Sequence, residues 1–242
     1  MNPTIQSLFD RKSIRVFTDR EVTAEEKSLI LCAAAQAPTA GNQQLYTIID
    51  VTDQVIKNAL AKTCDNQPFI ADAKLVLIFC ADCKKWYDAF RFAGCAPRNP
   101  GVGDLALAIS DATIAAQNAV VAAESLGLGS CYIGDIMENC EAHRRLLHLP
   151  RYVFPCCMLV FGFPTQQQRD RQKPLRSPMD SIVHENAYHE MDAAELETLL
   201  DIRVAQGNTY ENWIHAFCKR KYNSAFSQEM SRSVAEYLKD FE

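Results

Sequence analysis

Arg11-Lys12-Ser13-Ile14-Arg15-Val16-Phe17 places two guanidiniums, an ammonium and a hydroxyl in one short run near the N-terminus. Alternate positions of an extended segment face the same way, so Arg11, Ser13 and Arg15 converge on one anion. A guanidinium fork donates two parallel charge-assisted hydrogen bonds, which suits a phosphate. Further along, Ala37-Pro38-Thr39-Ala40-Gly41-Asn42-Gln43-Gln44 is a turn-forming run of small and amide residues. Its amides, hydroxyl and unobstructed Gly backbone suit hydrogen bonding to the edge of a flat heterocycle. Together the two runs predict a site for a phosphorylated aromatic cofactor. Taken singly, the first is ordinarily surface charge and the second an ordinary helix-to-strand connection.

Outward from these runs, helices and strands alternate. Residues 4–10 form a short helix leading into the Arg-Ser-Arg segment. Thr23 with Glu26 makes a capping box that opens an amphipathic helix, from Glu25 to about Gln36, ended by Pro38. Tyr46 to Val51 is β-rich, and Lys57 to Cys64 reads as a helix. Lys74 to Cys80 is a buried strand by its continuous apolar content. Residues 81–103 read as irregular and aromatic-rich. Asp104 to Leu126 is the longest helix, Ala-rich and apolar on most of its circumference, so it is expected to be buried against the core or a second copy of itself. Ser130 to Ile133 is a short strand, Asn139 to Leu147 a helix stopped by Leu149-Pro150, and Cys156 to Phe161 a buried strand. This alternation argues for a layered α/β or α+β domain. From Asp192-Ala193-Ala194-Glu195 the chain changes to a polar-faced helical extension carrying Trp213, Phe217, Phe226, Tyr237 and Phe241. Those aromatics pack across either their own subunit or a dimer.

Over roughly residues 4–189 the chain resembles the FMN-dependent nitroreductases. Arg11, Ser13, Arg15 and Phe17 match the family's Arg-x-Ser-x-Arg-x-aromatic pattern. Pro38-Thr39-Ala40-Gly41-Asn42-Gln43-Gln44-Leu45-Tyr46 is similar to its Pro-Ser-Ala-x-Asn-x-Gln-Pro-Trp pattern, with Leu and Tyr in the last two places. Asn118 through Gly127-Leu128-Gly129 to Gly134, and Leu149-Pro150 through Val160-Phe161-Gly162-Phe163-Pro164, fit its later helix, turn and strand. The resemblance implies an α+β, three-layer fold, a mainly antiparallel sheet flanked by helices, working as a homodimer. It implies residues 1–189 as the FMN-binding domain, with residues 190–242 as a helical C-terminal extension packing on the same fold or the dimer.

The resemblance also implies a ligand set. Arg11, Lys12, Ser13 and Arg15 would hold the FMN phosphate, closed by Lys173 and Arg176 ahead of Ile182-Val183-His184; alternatively, Arg169 to Arg176 is a solvated basic loop. Pro38, Thr39, Ala40, Asn42 and Gln44 would lie along the isoalloxazine, part of this loop serving the flavin of the other subunit. Asn66 and Gln67 would either contact the pyrimidine edge or cap a turn. Tyr132, Ile133 and Gly134 would line the ring, with the Gly134 N–H aimed at flavin N5. Trp86, Tyr87 and Phe90 would either roof the flavin and stack on planar substrates or pack in the core. NAD(P)H would be co-substrate and a nitroaromatic, quinone or similar small molecule the acceptor, by a ping-pong mechanism. The alternatives of the same fold are a dehalogenase or a flavin-processing enzyme; of another class, a flavin-binding sensor or interaction protein without turnover.

Composition sets the outer bounds. The 242 residues, 48% hydrophobic and 23% charged, suit one large core, and no Pro/Gly/Ser-rich linker divides them. A formal charge of −5 gives no general attraction to nucleic acid or an acidic membrane. Asp10, Arg11 and Lys12 arrive before any apolar run, so no signal peptide is expected, and no apolar stretch is expected to reach membrane-spanning length. Ten scattered cysteines, several in apolar segments, predict reduced thiols and a cytoplasmic protein. Gly101-Val102-Gly103-Asp104 lacks the third Gly of a dinucleotide fingerprint and reads as helix entry. Cys80-Ala81-Asp82-Cys83 has no second pair for zinc, and His184-Glu185 with His189-Glu190 is not a zinc-protease motif. Cys131 reads as a buried neutral thiol. No Ser-His-Asp set or carboxylate pair is present, which fits chemistry carried by a cofactor.

Overall fold

Thr23 accepts from the Glu26 N–H (3.1 Å) while the Glu26 carboxylate accepts from the Thr23 N–H (2.8 Å), so the expected capping box forms. In a computed structural model describing residues 1–242, the elements are α1 (Pro3–Asp10), α2 (Ala24–Ala35), β1 (Tyr46–Asp50), α3 (Gln54–Thr63), α4 (Phe69–Asp72), β2 (Leu75–Asp82), α5 (Lys84–Phe92), α6 (Val102–Ser125), β3 (Gly129–Ile133), α7 (Cys140–Leu147), β4 (Val153–Gly162), α8 (Gln166–Asp170), α9 (Ala193–Asp201), α10 (Tyr210–Lys221) and α11 (Ala225–Leu238). Two compact units contain them: residues 1–171 with 229–242, and residues 172–228. This division does not coincide with a boundary at 189/190.

In the first unit, one four-stranded sheet has the order β1-β2-β4-β3, antiparallel throughout. Every residue of β2 and β4 is buried, so both faces of the central pair are covered, as their unbroken apolar sequence requires. Helix α6 packs on the sheet and on α2. Pro155 sits inside β4, where a Pro removes a ladder donor; the register shifts by a bulge between Phe79 and Cys80, which face this point. The C-terminal residues return to this core. Tyr237 is fully buried edge-on to Phe154 (5.1 Å between ring centroids), and Phe241 meets Tyr152 (5.6 Å). In the second unit, α9 packs on α10, and Trp213 stacks on Phe217 (5.1 Å).

Two expectations are corrected. Residues 84–92 are helical rather than irregular. Asp82 at the end of β2 accepts from the N–H groups of Lys84 (3.0 Å) and Lys85 (3.1 Å), starting α5, and Trp86 meets Phe90 one turn later (5.6 Å). Helix α6 has 24 residues with an 18-residue window of mean hydropathy 1.4, long and apolar enough to cross a membrane. Its apolarity has a core explanation: Leu105, Ala108, Ala112, Ala115, Ala119 and Ala123, among others, are buried against the sheet and α2. The helix starts at Val102, with Asp104 accepting from the Gly101 N–H (2.8 Å), so that glycine run is a helix entry.

Candidate functional site

Residues 11–18 lie beside the ends of β3 and β4. The Ile14 N–H donates to the Ser130 carbonyl (2.9 Å) and the Thr18 N–H to that of Phe163 (2.8 Å). Two glycines permit this approach. Gly129 and Gly162 face each other across β3 and β4. A Cβ on Gly129 would lie 2.8 Å from Cβ of Ile14, and one on Gly162 would lie 2.7 Å from the Phe17 ring. Ile14 is buried by this seating, and extended alternation then puts Arg11, Ser13 and Arg15 on the other side.

The structure brings those three together. All of them bear on the buried thiol of Cys131: burial pushes the thiol up, while Arg15, Ser13 and Arg11 pull it down. Arg11 Nη1 is buried without a hydrogen-bond partner. A guanidinium nitrogen so placed is costly unless an anion meets it. Lys12 is used differently. Its Nζ donates to the carbonyls of Arg169 and Arg171, which ties the segment following β4 to this cradle. Gln168 accepts from the Arg15 N–H (3.3 Å), and Arg171 donates to the Ser13 carbonyl. Arg171 is thus a further cation at the cradle; its only sequence signal was membership of the basic run from Arg169 to Arg176. Lys173 and Arg176 belong to the second unit, on the segment before the 3-10 turn Met179–Ser181.

Arg15 also reaches the turn after α3, its Cζ lying 5.9 Å from the centroid of the Phe69 ring. In that turn Asn66 takes a left-handed conformation, and Gln67 donates from Nε2 to the Cys64 carbonyl (2.9 Å), capping α3. Its Oε1 is the atom left for a ligand. On β3, the Tyr132 hydroxyl donates to Gln117 of α6 (3.3 Å), and burial pushes this phenol well above its usual range. Ile133 is buried, and exposed Gly134 opens a 3-10 turn, Gly134–Met137. The opening N–H groups of such a turn have no intrahelical acceptor. The turn is held from the C-terminus: Ser233 Oγ donates to the Met137 carbonyl (2.7 Å) and accepts from the Cys140 N–H (2.9 Å).

Glu138 follows this turn, nearly enclosed, with Oε1 unpartnered. Burial, then the neighbouring Asp135, Asp65 and Glu229, push its carboxyl up to about 7. His143 is enclosed nearby between the Ile136 carbonyl (2.9 Å) and Thr63 Oγ1 (2.8 Å), and burial lowers its pKa.

The 38–45 loop lies elsewhere. Pro38 is exposed after α2; Gly41, Asn42 and Gln44 are left-handed. Thr39 is engaged inside the loop, its hydroxyl donating to Asp111 and accepting from the Gln44 N–H (2.7 Å). Asp111 also accepts from the Ala40 N–H (3.0 Å) and the Leu45 N–H (3.1 Å). Gln44 Nε2 donates to the Ala35 carbonyl (3.2 Å), and Asn42 is exposed. Trp86 Nε1 donates to the Gln43 carbonyl (2.8 Å), so α5 covers the loop. Gln43, Leu45, Trp86, Tyr87, Phe90 and Arg98 are among the residues around a cavity of about 290 Å³.

The expected site residues therefore form two groups. The loop group precedes β1, at one edge of the sheet, while the Arg-Ser-Arg and Gly134 group adjoins β3, at the other. Three inter-strand spacings separate those edges, roughly 14 Å. The donors of the Arg-Ser-Arg group and its unpaired Arg11 nitrogen fit a phosphate, and the loop's amides fit the edge of a flavin ring. The residues present thus suit FMN.

Known proteins are similar to this chain over most of its length. Residues 8–163 match the Nitroreductase family. The chain is 37% identical over 193 residues to the oxygen-insensitive NADPH nitroreductase of Salmonella typhimurium, covering 79% of this chain and 77% of that one. It is 33% identical over 241 residues to the FMN reductase [NAD(P)H] of Bacillus subtilis, covering 98% and 91%. Among solved structures, NfrA2 of B. megaterium superposes with a TM-score of 0.85 at 32% identity over 98% of both chains. With the matched region running through the Arg-Ser-Arg segment, the whole sheet and the Gly134 turn, the chain belongs to the nitroreductase family.

Proposed function

We propose that this protein is an FMN-dependent oxidoreductase that passes hydride from NAD(P)H to nitroaromatic, quinone or similar electron-poor acceptors by a ping-pong mechanism. FMN is the cofactor and NAD(P)H the co-substrate. When bound, FMN supplies the two-electron carrier between the nicotinamide and the acceptor. The chain's own residues bind and orient. Arg11, Ser13 and Arg15 hold the phosphate, and Lys173 and Arg176 are the further cations the family resemblance assigns to it. The Gly134 N–H is the donor assigned to N5, where negative charge grows during reduction; a fixed amide there is preorganised electrostatic stabilisation. Asn66 or Gln67 meets the pyrimidine edge, and Tyr132 and Ile133 flank the ring. Trp86, Tyr87 and Phe90 form an aromatic wall for flat acceptors.

The observation that carries the reading is the buried, unpartnered Arg11 Nη1 beside Ser13 and Arg15. The two groups of site residues at opposite sheet edges support a homodimer, in which the 38–45 loop of one protomer completes the flavin site of its partner. The exposed apolar residues Leu107 and Ile114 of α6, two turns apart on one side, supply a face for that contact. The free cysteines support a cytoplasmic location. Because relatives bear the name FMN reductase, free flavin is included among the acceptors to be tested.

Purified protein is expected to be yellow, to bleach on adding NADPH under argon, and to recolour with a nitroaromatic. Arg11→Ala with Arg15→Ala is expected to yield folded, colourless protein. Full FMN occupancy in that double variant would refute the phosphate assignment. A monomer by sedimentation with intact turnover would refute the shared site.

A further inference from the structure

The 38–45 loop has an unfavourable backbone. Asn42 and Gln44 carry side chains at φ of 56° and 50°, next to Gly41 at 57°. Left-handed conformations at residues with a Cβ are disfavoured and persist only where surrounding contacts fix them. Two sets of contacts do so here. From α6, the Asp111 carboxylate takes the hydroxyl of Thr39 and the N–H groups of Ala40 and Leu45, so it holds both ends of the loop. From α5, Lys85 Nζ donates to the carbonyls of Tyr46 (2.6 Å) and Gln44 (3.3 Å), and Trp86 to that of Gln43. The loop's donors thus face a carboxylate and its acceptors face an ammonium and an indole.

Asp111 is 3% exposed on the helix that otherwise presents Ala and Leu to the core. Burying a carboxylate is costly, and a small apolar residue would serve α6 packing at less cost. Its charge is matched by donors of one loop. We propose that Asp111 is a positioning residue that clasps residues 39–45 in the shape that presents Asn42 and its neighbours to the flavin. It does not touch the cofactor. This rests on the reading that the loop contacts FMN.

Asp111→Asn keeps the shape but replaces one oxygen with an NH2, so at most two of the three bonds survive in their original sense: those of Thr39 and Leu45 if the amide oxygen takes the Oδ2 place, that of Ala40 alone if it takes the Oδ1 place. Three readouts on the full chain test the clasp. Hydrogen exchange of the FMN-free protein follows Ala40, Gln44 and Leu45 amides against β2 amides. Fluorescence quenching gives FMN affinity, and NADPH turnover with a nitroaromatic separates kcat from KM. Expected for Asp111→Asn are faster exchange confined to 39–45, FMN affinity weakened about tenfold, and kcat at saturating FMN reduced less than the affinity. Thr39→Val should move in the same direction by a smaller factor, and Thr39→Ser less than Thr39→Val. If Asp111→Asn fails to fold, the Thr39 pair carries the test. Unchanged loop exchange, or faster exchange with wild-type FMN affinity, overturns the proposal. A wild-type protein that binds no FMN overturns the functional reading instead, and the exchange data still say whether Asp111 holds the loop.

Discussion

Gly129→Ala tests the link between one backbone position and cofactor affinity. Ile14 lies over Gly129, and an added Cβ would sit 2.8 Å from Cβ of Ile14 and 3.1 Å from its Cγ2, with Cγ1 closer still. The obstacle is a buried branched side chain with little freedom at χ1, so the 13–15 segment must lift from the sheet or Ile14 must leave its seat. Lifting weakens the Ile14 N–H bond to Ser130; unseating Ile14 gives up much of its buried area. Overpacking of this kind costs about 1–3 kcal/mol, and losing the full burial of one Ile about 2–3 kcal/mol. For a chain of this size, about 2 kcal/mol lowers Tm by roughly 4–8 °C. Ser13 and Arg15 flank Ile14, so the same displacement spoils the phosphate cradle, and FMN affinity should fall by about tenfold or more. Differential scanning fluorimetry on the FMN-free protein and FMN fluorescence titration measure the two effects. Adding Ile14→Ala to Gly129→Ala removes Cγ1 and Cγ2 and leaves only the Cβ contact, so it should restore part of the affinity while stability stays low. If Gly129→Ala alone binds FMN within twofold of wild type with an unchanged Tm, the steric account of the cradle is wrong.

Glu138 gives a pH signature. Its carboxyl, about 7 when folded against an ordinary 4.5, keeps its proton longer in the folded chain; the stabilisation is full below pH 4.5 and is lost as pH rises through 7. Glu138→Gln should therefore match wild type near pH 4.5 and exceed it at pH 8 by up to about 2–3 kcal/mol, read as Tm across pH; a constant offset would dismiss the buried charge. Ser233→Ala removes the two Ser233 bonds that join α11 to residues 137 and 140, so a loss of about 1–3 kcal/mol is expected, with faster exchange at residues 134–140; unchanged exchange there would show that Ser233 does not hold the turn. Trp86→Phe keeps the ring but drops the indole bond to the Gln43 carbonyl. KM for planar acceptors should change several-fold with Tm within a few degrees, and equal KM values across acceptors would remove Trp86 from the substrate wall.

What the sequence disclosed, and what it hid, follows from the range of each interaction. Thr23 and Glu26 are three residues apart, and the continuous apolar runs of β2 and β4 are local, so those elements are readable from sequence. The Arg-Ser-Arg segment is equally local, and strand alternation alone predicts that its three donors share a side. The helix at 84–92 was missed because its start is fixed by Asp82, a strand residue, and its aromatics mimic an irregular cluster. Asp111 was invisible for a stronger reason. A lone acid in an apolar helix reads as a surface position; only the fold, placing it seventy-odd residues from Thr39 in sequence and in contact with it in space, shows a buried charge with three donors.

Sheet order adds the constraint that joins these pieces. With β1 and β3 as opposite edges, neither the loop before β1 nor the turn after β3 can be brought to the other without breaking β2 and β4 out of the middle. In the proposed homodimer, a flavin site using both sets of residues draws on a second protomer, and the helix between them, α6, is the part that must be placed well. It carries Asp111, which clasps the loop, and Gln117, which receives the Tyr132 hydroxyl. Its small buried residues let it sit close on the sheet, and its outer Leu107 and Ile114 face away. One helix thus sets both the loop before β1 and the strand β3. A dimer-breaking charge at Leu107, such as Leu107→Glu, should cost FMN affinity although that side chain is assigned no contact with the cofactor; a monomeric variant that keeps its flavin would show that a single protomer holds the site complete.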